Sequence, residues 1–177
     1  VLVRAIFEIY SNGLTLESLM KYAKTGLSPL SWDEIAEVEN YAFMWSLESS
    51  ALAREWKDNP DGFGVPLDEE RKERLALLNE TKNRLVEPLL SLRESLKEKN
   101  ASEVLRAVFE FLLSQGVDER LKEYAIALEE EGKAELALEQ ERVWDALVGV
   151  FNDLSAALGE RAFSPKRLFE LFEIALS

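Results

Sequence analysis

Apolar residues recur three and four positions apart through most of this chain, the period of a helix face rather than of a strand. Val3, Ile6, Phe7 and Tyr10 make the first such face, and Asn12-Gly13 behind it is the left-handed stop that suits a helix C-terminus. Thr15 is placed to cap a second helix running through Met20 and Tyr22 to Gly26, with Ser28-Pro29 as the breaker. Ser31-Trp32-Asp33-Glu34 spells a capping box, in which the serine hydroxyl accepts from the Glu34 amide and the glutamate reaches back to the amide of Ser31. The helix it opens is expected to bury Ile35, Val38, Ala42 and Trp45, with Leu52 further along.

Asp58-Asn59-Pro60-Asp61-Gly62-Phe63-Gly64 is dense in turn residues and predicts a long loop over 57–67. Asp68 then caps a charged helix whose leucines, Leu75, Leu78, Leu85, Leu89, Leu92 and Leu96, recur at three, four or seven. Pro88 lacks an amide hydrogen, so it should kink this helix or sit in the first turn of another. Asn100 with Glu103 is a further N-terminal signature, Gly116 a stop, Asp118 a new start and Gly132 an interruption. Residues 134–158 read as one long helix with Leu138, Val143, Trp144, Leu147, Phe151, Leu154 and Leu158 inward, and Ser164-Pro165 opens the last helix with Leu168, Leu171, Phe172 and Leu176. The predicted fold is therefore all-α, an irregular bundle of about seven or eight helices. Residues 1–177 hold no repeat and no low-complexity linker and read as a single helical subdomain. A start inside an apolar helix, without methionine, is expected of a segment taken from a longer chain.

Composition removes most familiar chemistry. With no cysteine and no histidine there is no disulfide, thiolate metal site, cysteine nucleophile or imidazole base. No apolar run approaches the roughly 18 residues of a membrane span, and the first residues lack a signal pattern, so a soluble protein is expected. The 34 acidic against 21 basic residues leave a net charge of −13. That charge is concentrated in 33–66, with eight acids and two bases, and in 117–159, with eleven and four. A field of this sign repels a polyanion, so any contact with DNA requires a local basic patch. Arg4, Lys21 and Lys24 form one candidate; Arg71, Lys72, Arg74, Lys82 and Arg84 form another, more simply read as a solvated helix face paired with Glu70, Glu73 and Glu80.

Several chemical motifs fail on inspection. An EF-hand register around Asn59, Asp61 and Gly62 would begin with Lys57, a cation where a calcium ligand must stand. Pro60-Asp61 followed by Glu70-Arg71-Lys72 has the order of a metal-dependent nuclease, but its second half lies in a helix instead of a β-hairpin. Glu129-Glu130-Glu131 point in different directions around a helix, and no glycine-rich phosphate loop exists. Among the tryptophans, Trp45 and Trp144 lie on apolar stripes, whereas Trp32 and Trp56 are freer to meet a partner or a base, partial burial against a neighbouring helix being the plainer reading.

Lys21-Tyr22-Ala23-Lys24-Thr25-Gly26-Leu27, Leu30-Ser31, Asp33-Glu34-Ile35 and Glu39-Asn40-Tyr41 together resemble a stretch of the AddB family, the B subunit (RexB-like) of the bacterial ATP-dependent helicase/deoxyribonuclease. Asn83 to Leu89, Phe111-Leu112, Glu139 to Trp144, Leu154 to Gly159 and Ser164 to Leu176 continue the resemblance, which covers nearly the whole chain; Lys21 and Val38 depart from the family's arginine and leucine. The resemblance implies an internal helical insertion comparable to the 2B subdomain of UvrD-type helicases. It further implies a non-catalytic part of a cytoplasmic complex that processes DNA double-strand breaks for recombination. An AddA-like partner would carry the motor, and ATP, magnesium and an iron–sulfur cluster would serve elsewhere in the complex. Arg4, Lys21, Lys24, Thr25 and Trp56 become candidates for DNA or inter-domain contact, since lysine meets phosphate as a point charge and a threonine hydroxyl can donate to the same oxygen. The alternative for these residues is structural: Thr25 and Gly26 end a helix, Asn40 bonds to that turn, Tyr41 packs beneath it, and Glu39 belongs to the same motif. A separate reading, from charge alone, is an acidic helical interaction module that binds a basic partner.

Overall fold

A computed structural model describes residues 1–176. Among the described residues the regular structure is entirely helical: α1 (Leu2–Asn12), α2 (Leu16–Ala23), α3 (Trp32–Met44), α4 (Ser50–Ala53), α5 (Glu69–Ser95), α6 (Ala101–Ser114), α7 (Val117–Glu130), α8 (Ala134–Leu158) and α9 (Pro165–Leu176). The element beyond the expected seven or eight is α4, a single turn too short to carry a period.

The caps explain the boundaries. Thr15, Ser31 and Asn100 each accept from the backbone amide three residues on, and Ser18, Glu34 and Glu103 return the bond to the cap amide. Gly13 ends α1 at φ +88°, and Gly116, at φ +67°, turns the chain between α6 and α7 in a conformation that a side chain would strain. Pro88 does not divide α5, which is continuous from Glu69 to Ser95; Leu85, Val86, Leu89 and Leu92 around it are buried, and their packing holds the helix through the missing hydrogen bond.

The chain divides into two compact units, Val1–Arg93 and Glu94–Ser177. The division falls inside the last turn of α5, so no loop or composition change marks it. In the first unit α1 packs on α2 and α2 on α3, around Phe7, Ile6, Ile9, Leu19, Tyr22 and Val38. In the second, α8 lies against α6, α7 and α9, and Phe151 joins the rings of Phe109 and Phe172 at centroid separations of 5.5 and 5.1 Å.

The inward face of α8 differs from the expectation. Ala137 and Phe151 are its buried positions, Trp144 is half-covered by Phe109, and Leu138 and Val143 are exposed. A helix with leucine or valine on several sides does not reveal by period which side its neighbours cover.

Candidate functional site

The two most specific blocks of the sequence, around Lys24-Thr25-Gly26 and Glu39-Asn40-Tyr41, meet in the first unit. Lys24 Nζ lies 2.5 Å from Glu39 Oε1, which ties the end of α2 to the middle of α3. The Thr25 hydroxyl donates to the Tyr22 carbonyl at 2.8 Å and accepts from the Leu27 amide at 3.2 Å, so it closes the helix end, and Gly26 follows at φ +75°. Buried Ser28 adds a bond to the Ala23 carbonyl at 2.9 Å. Lys21 is held by Glu17 at 2.9 Å and by Glu8 at 3.3 Å, and these two carboxylates, Glu17 foremost, raise its pKa. Arg4 is exposed on α1. The amino-terminal basic patch is thus built into ion pairs and helix closure. Asn40 is exposed and lines a cleft with Arg74 and Leu78 of α5, and among the described residues no hydrogen bond joins it to the turn it was expected to bond.

Tyr41 has a different task. It is buried, its hydroxyl donates to the Asp58 carbonyl at 2.9 Å and accepts from the Asp58 amide at 3.0 Å, and burial pushes its pKa up to about 12. Its ring stacks on Trp56 with centroids 4.6 Å apart and planes within 10°. Trp56 follows the plainer of its two readings, burial against its neighbours, and is not free to meet a base: it is 4% exposed, and its indole N–H donates to the Ala51 carbonyl. A base cannot stack on a face that Tyr41 already covers.

Loop 57–67 is where expected, and polar side chains hold it. Asn79 brackets the backbone of Trp56, accepting from its amide at 2.8 Å and donating to its carbonyl at 2.9 Å. Asn59, buried, donates to the carbonyls of Val65 and Pro66 and accepts from the Asp61 amide, while Trp45 donates to the Asn59 carbonyl at 3.1 Å. Lys82 is 1% exposed; its ammonium donates to the Arg54 carbonyl at 2.8 Å and sits 5.4 Å from the Trp56 ring centroid, and burial lowers its pKa. Asn59, Asn79 and Lys82 were missed as a clamp. The signal for Lys82 and Asn79 was present in part, since Leu75, Leu78, Leu85 and Leu89 place both near the buried side of α5.

The second basic patch is also consumed. Arg71 binds Asp61 and Asp68, Arg74 binds Asp61 at 2.7 Å, Lys72 binds Glu69, and Arg84 joins Glu34 and the Pro29 carbonyl. The expected partners Glu70, Glu73 and Glu80 give way to carboxylates of the loop, of the α5 start and of α3. Asp61, the first half of the nuclease-like order, has each carboxylate oxygen on an arginine, which is a loop clamp.

Two surface clefts of about 580 Å³ flank the exposed Phe43. One opens among Asn40, Met44, Pro60 and Arg74, the other among Leu16, Met20, Lys21 and Lys24. Among the described residues no three carboxylates converge as a metal set. The lysines and the arginine that line them, Lys21, Lys24 and Arg74, are already paired with acids.

The chain is similar along nearly its whole length to a region of the B subunits of ATP-dependent helicase/deoxyribonucleases, the resemblance that the Lys-Thr-Gly and Glu-Asn-Tyr blocks carried. The relatives so named include those of Clostridium acetobutylicum, 29% identical over 99% of this chain, Ruminiclostridium cellulolyticum, 27% over 99%, and Acetivibrio thermocellus, 28% over 98%. The chain spans 15 to 16% of the length of these relatives. No family model matches it. Among the described residues no helix is long and apolar enough to cross a membrane.

Proposed function

We propose that this chain is a non-catalytic helical subdomain of a B-type subunit of an ATP-dependent helicase/deoxyribonuclease that processes DNA double-strand breaks for recombinational repair in the cytoplasm. The observation that carries the reading is the similarity to subunits of that name across 97 to 100% of this chain. In this reading DNA is met through the parent complex and an AddA-like subunit is the partner. ATP, magnesium and an iron–sulfur cluster act outside this segment in this reading; its residues do not fit the cluster or the nucleotide, since it has no cysteine and no glycine-rich phosphate loop. The contribution of the chain is shape. Lys24–Glu39 sets α2 on α3, and Tyr41 with Trp56 sets the loop on α3.

The test is the full-length subunit assembled with its motor partner and supplied with linear duplex DNA and ATP. The unmodified assembly is expected to degrade the duplex in an ATP-dependent manner; an assembly without that activity contradicts the reading. Lys21→Ala with Lys24→Ala separates the two roles of the patch. Scaffolding predicts unchanged DNA affinity and an unchanged salt slope. A weaker affinity with the slope reduced by about one per lost phosphate contact assigns these lysines to DNA instead.

A further inference from the structure

Helix α8 is 25 residues long and carries an apolar side that is only partly covered. Leu136 and Val143 are 47% and 49% exposed, and Leu147, Val150 and Leu154 are half-buried. Their spacings are seven, four, three and four residues, the seam of a two-stranded helix pair, and at 100° per residue all five fall within an arc of about 60°. Gln140 occupies the one seam position that is polar. The buried residues Ala137 and Phe151 lie to one side of the seam. On the other side Glu139 and Asp153 stand beside the seam, with Glu135 and the single base Arg142 further out, and among the described residues none of the three carboxylates is in an ion pair or side-chain hydrogen bond.

This geometry decides what fits. An apolar seam of about 19 residues, roughly 28 Å long, matches the face of another amphipathic helix. Glu139 and Asp153 occupy the flanking position that selects the partner's charge in such pairs, with Ala146 between them. Residues 117–159 as a whole hold eleven acids against four bases, which disfavours DNA and an anionic membrane alike. We infer that the Leu136–Leu154 seam of α8 is a docking surface for an amphipathic protein helix that carries lysine or arginine beside its apolar stripe. The inference goes beyond the proposed role in DNA processing and concerns a surface of the second unit that the candidate site does not use.

The test uses the whole chain and two synthetic 21-residue helical peptides with leucine at the seam positions, one with lysine and one with glutamate at the flanking positions, read by fluorescence anisotropy. The lysine peptide should bind at least about tenfold more tightly than the glutamate peptide, and added salt should weaken it. Leu136→Asn with Val143→Asn should weaken binding by about tenfold or more, with the far-ultraviolet circular dichroism unchanged because both side chains are half-exposed. Ile174→Asn, an exposed apolar position on α9, should have no effect. Equal binding of the two peptides, binding of neither, or lysine-peptide affinity that survives the double substitution would each overturn the inference; the last outcome would mark general attraction to an acidic surface. None of these readouts involves DNA or ATP, so this inference and the proposed function fail separately.

Discussion

The loop of residues 54–67 and helix α8 invert the usual relation between regularity and burial. The loop has no repeating hydrogen bonds, yet its backbone is gripped by Tyr41, Trp45, Asn79 and Lys82, and Trp56 within it is almost wholly covered. Helix α8 satisfies its own backbone along 25 residues and buries two of them. Backbone hydrogen bonding and tertiary anchoring are separate quantities: an irregular segment must borrow partners from side chains and becomes fixed by doing so, whereas a helix is internally complete and can leave a face open.

The sharpest way to break this contrast is Trp56→Ala, which empties the stack on Tyr41 and the space under Lys82; it should cost about 3 to 5 kcal/mol in urea unfolding. Asn79→Ala leaves the amide and carbonyl of Trp56 without their partner and should cost about 2 kcal/mol. Asn100→Ala removes a reciprocal cap from α6 and should cost about 1 kcal/mol. Against these, Leu136→Asn on α8 should cost no more than about 1 kcal/mol, since the side chain is half in water already. An equal loss at Trp56 and at Leu136 would erase the distinction between the two regions.

Alkaline pH offers a second handle on the loop. Tyr41 is held at about 12 against an ordinary 10.0, so its folded form keeps the proton more tightly. Its contribution is present in full below pH 10 and is lost as pH rises towards 12. Lys82 has the opposite sign: its pKa lies below the ordinary 10.5, the folded state prefers the neutral amine, and stability gains as pH climbs through that window. Tyr41→Phe should therefore reduce the fall above pH 10, to which Tyr10, raised by burial, and the acid-paired Lys21 and Lys72 also contribute, and leave the Lys82 gain in place, as read by urea unfolding across the alkaline range.

Helices were legible because their signals are local. The Ser31 and Asn100 boxes, the Gly13 and Gly116 turns and the limits of α8 each depend on residues within one turn of the boundary. The clamp on the loop was not legible, because it is made by pairs far apart in sequence: Asn79 reaches Trp56 across 23 positions and Lys82 reaches Arg54 across 28. Burial was the plainer reading of Trp56, but its partner was not legible for the same reason, since nothing near it announces Tyr41. The open side of α8 escaped too, because period locates apolar faces without saying which neighbours arrive to cover them. The meeting of Lys24 with Glu39 had a partial signal: both stood in the blocks that made the sequence recognisable, but their contact depends on how α2 folds back on α3.

The proposed role, shaping a DNA-processing subunit without performing its chemistry, can be tested directly. Asp61 and Lys72 are the residues on which a hidden nuclease would depend, so the decisive measurement is the turnover of linear duplex DNA by the full-length assembly carrying Asp61→Asn and Lys72→Ala. The account predicts turnover within about twofold of the unmodified assembly once the quantity of intact complex is matched, because Asp61 clamps a loop to Arg71 and Arg74 and Lys72 pairs with Glu69. A fall of about a hundredfold or more in kcat, with assembly and DNA affinity preserved, would place catalysis in this segment and contradict it.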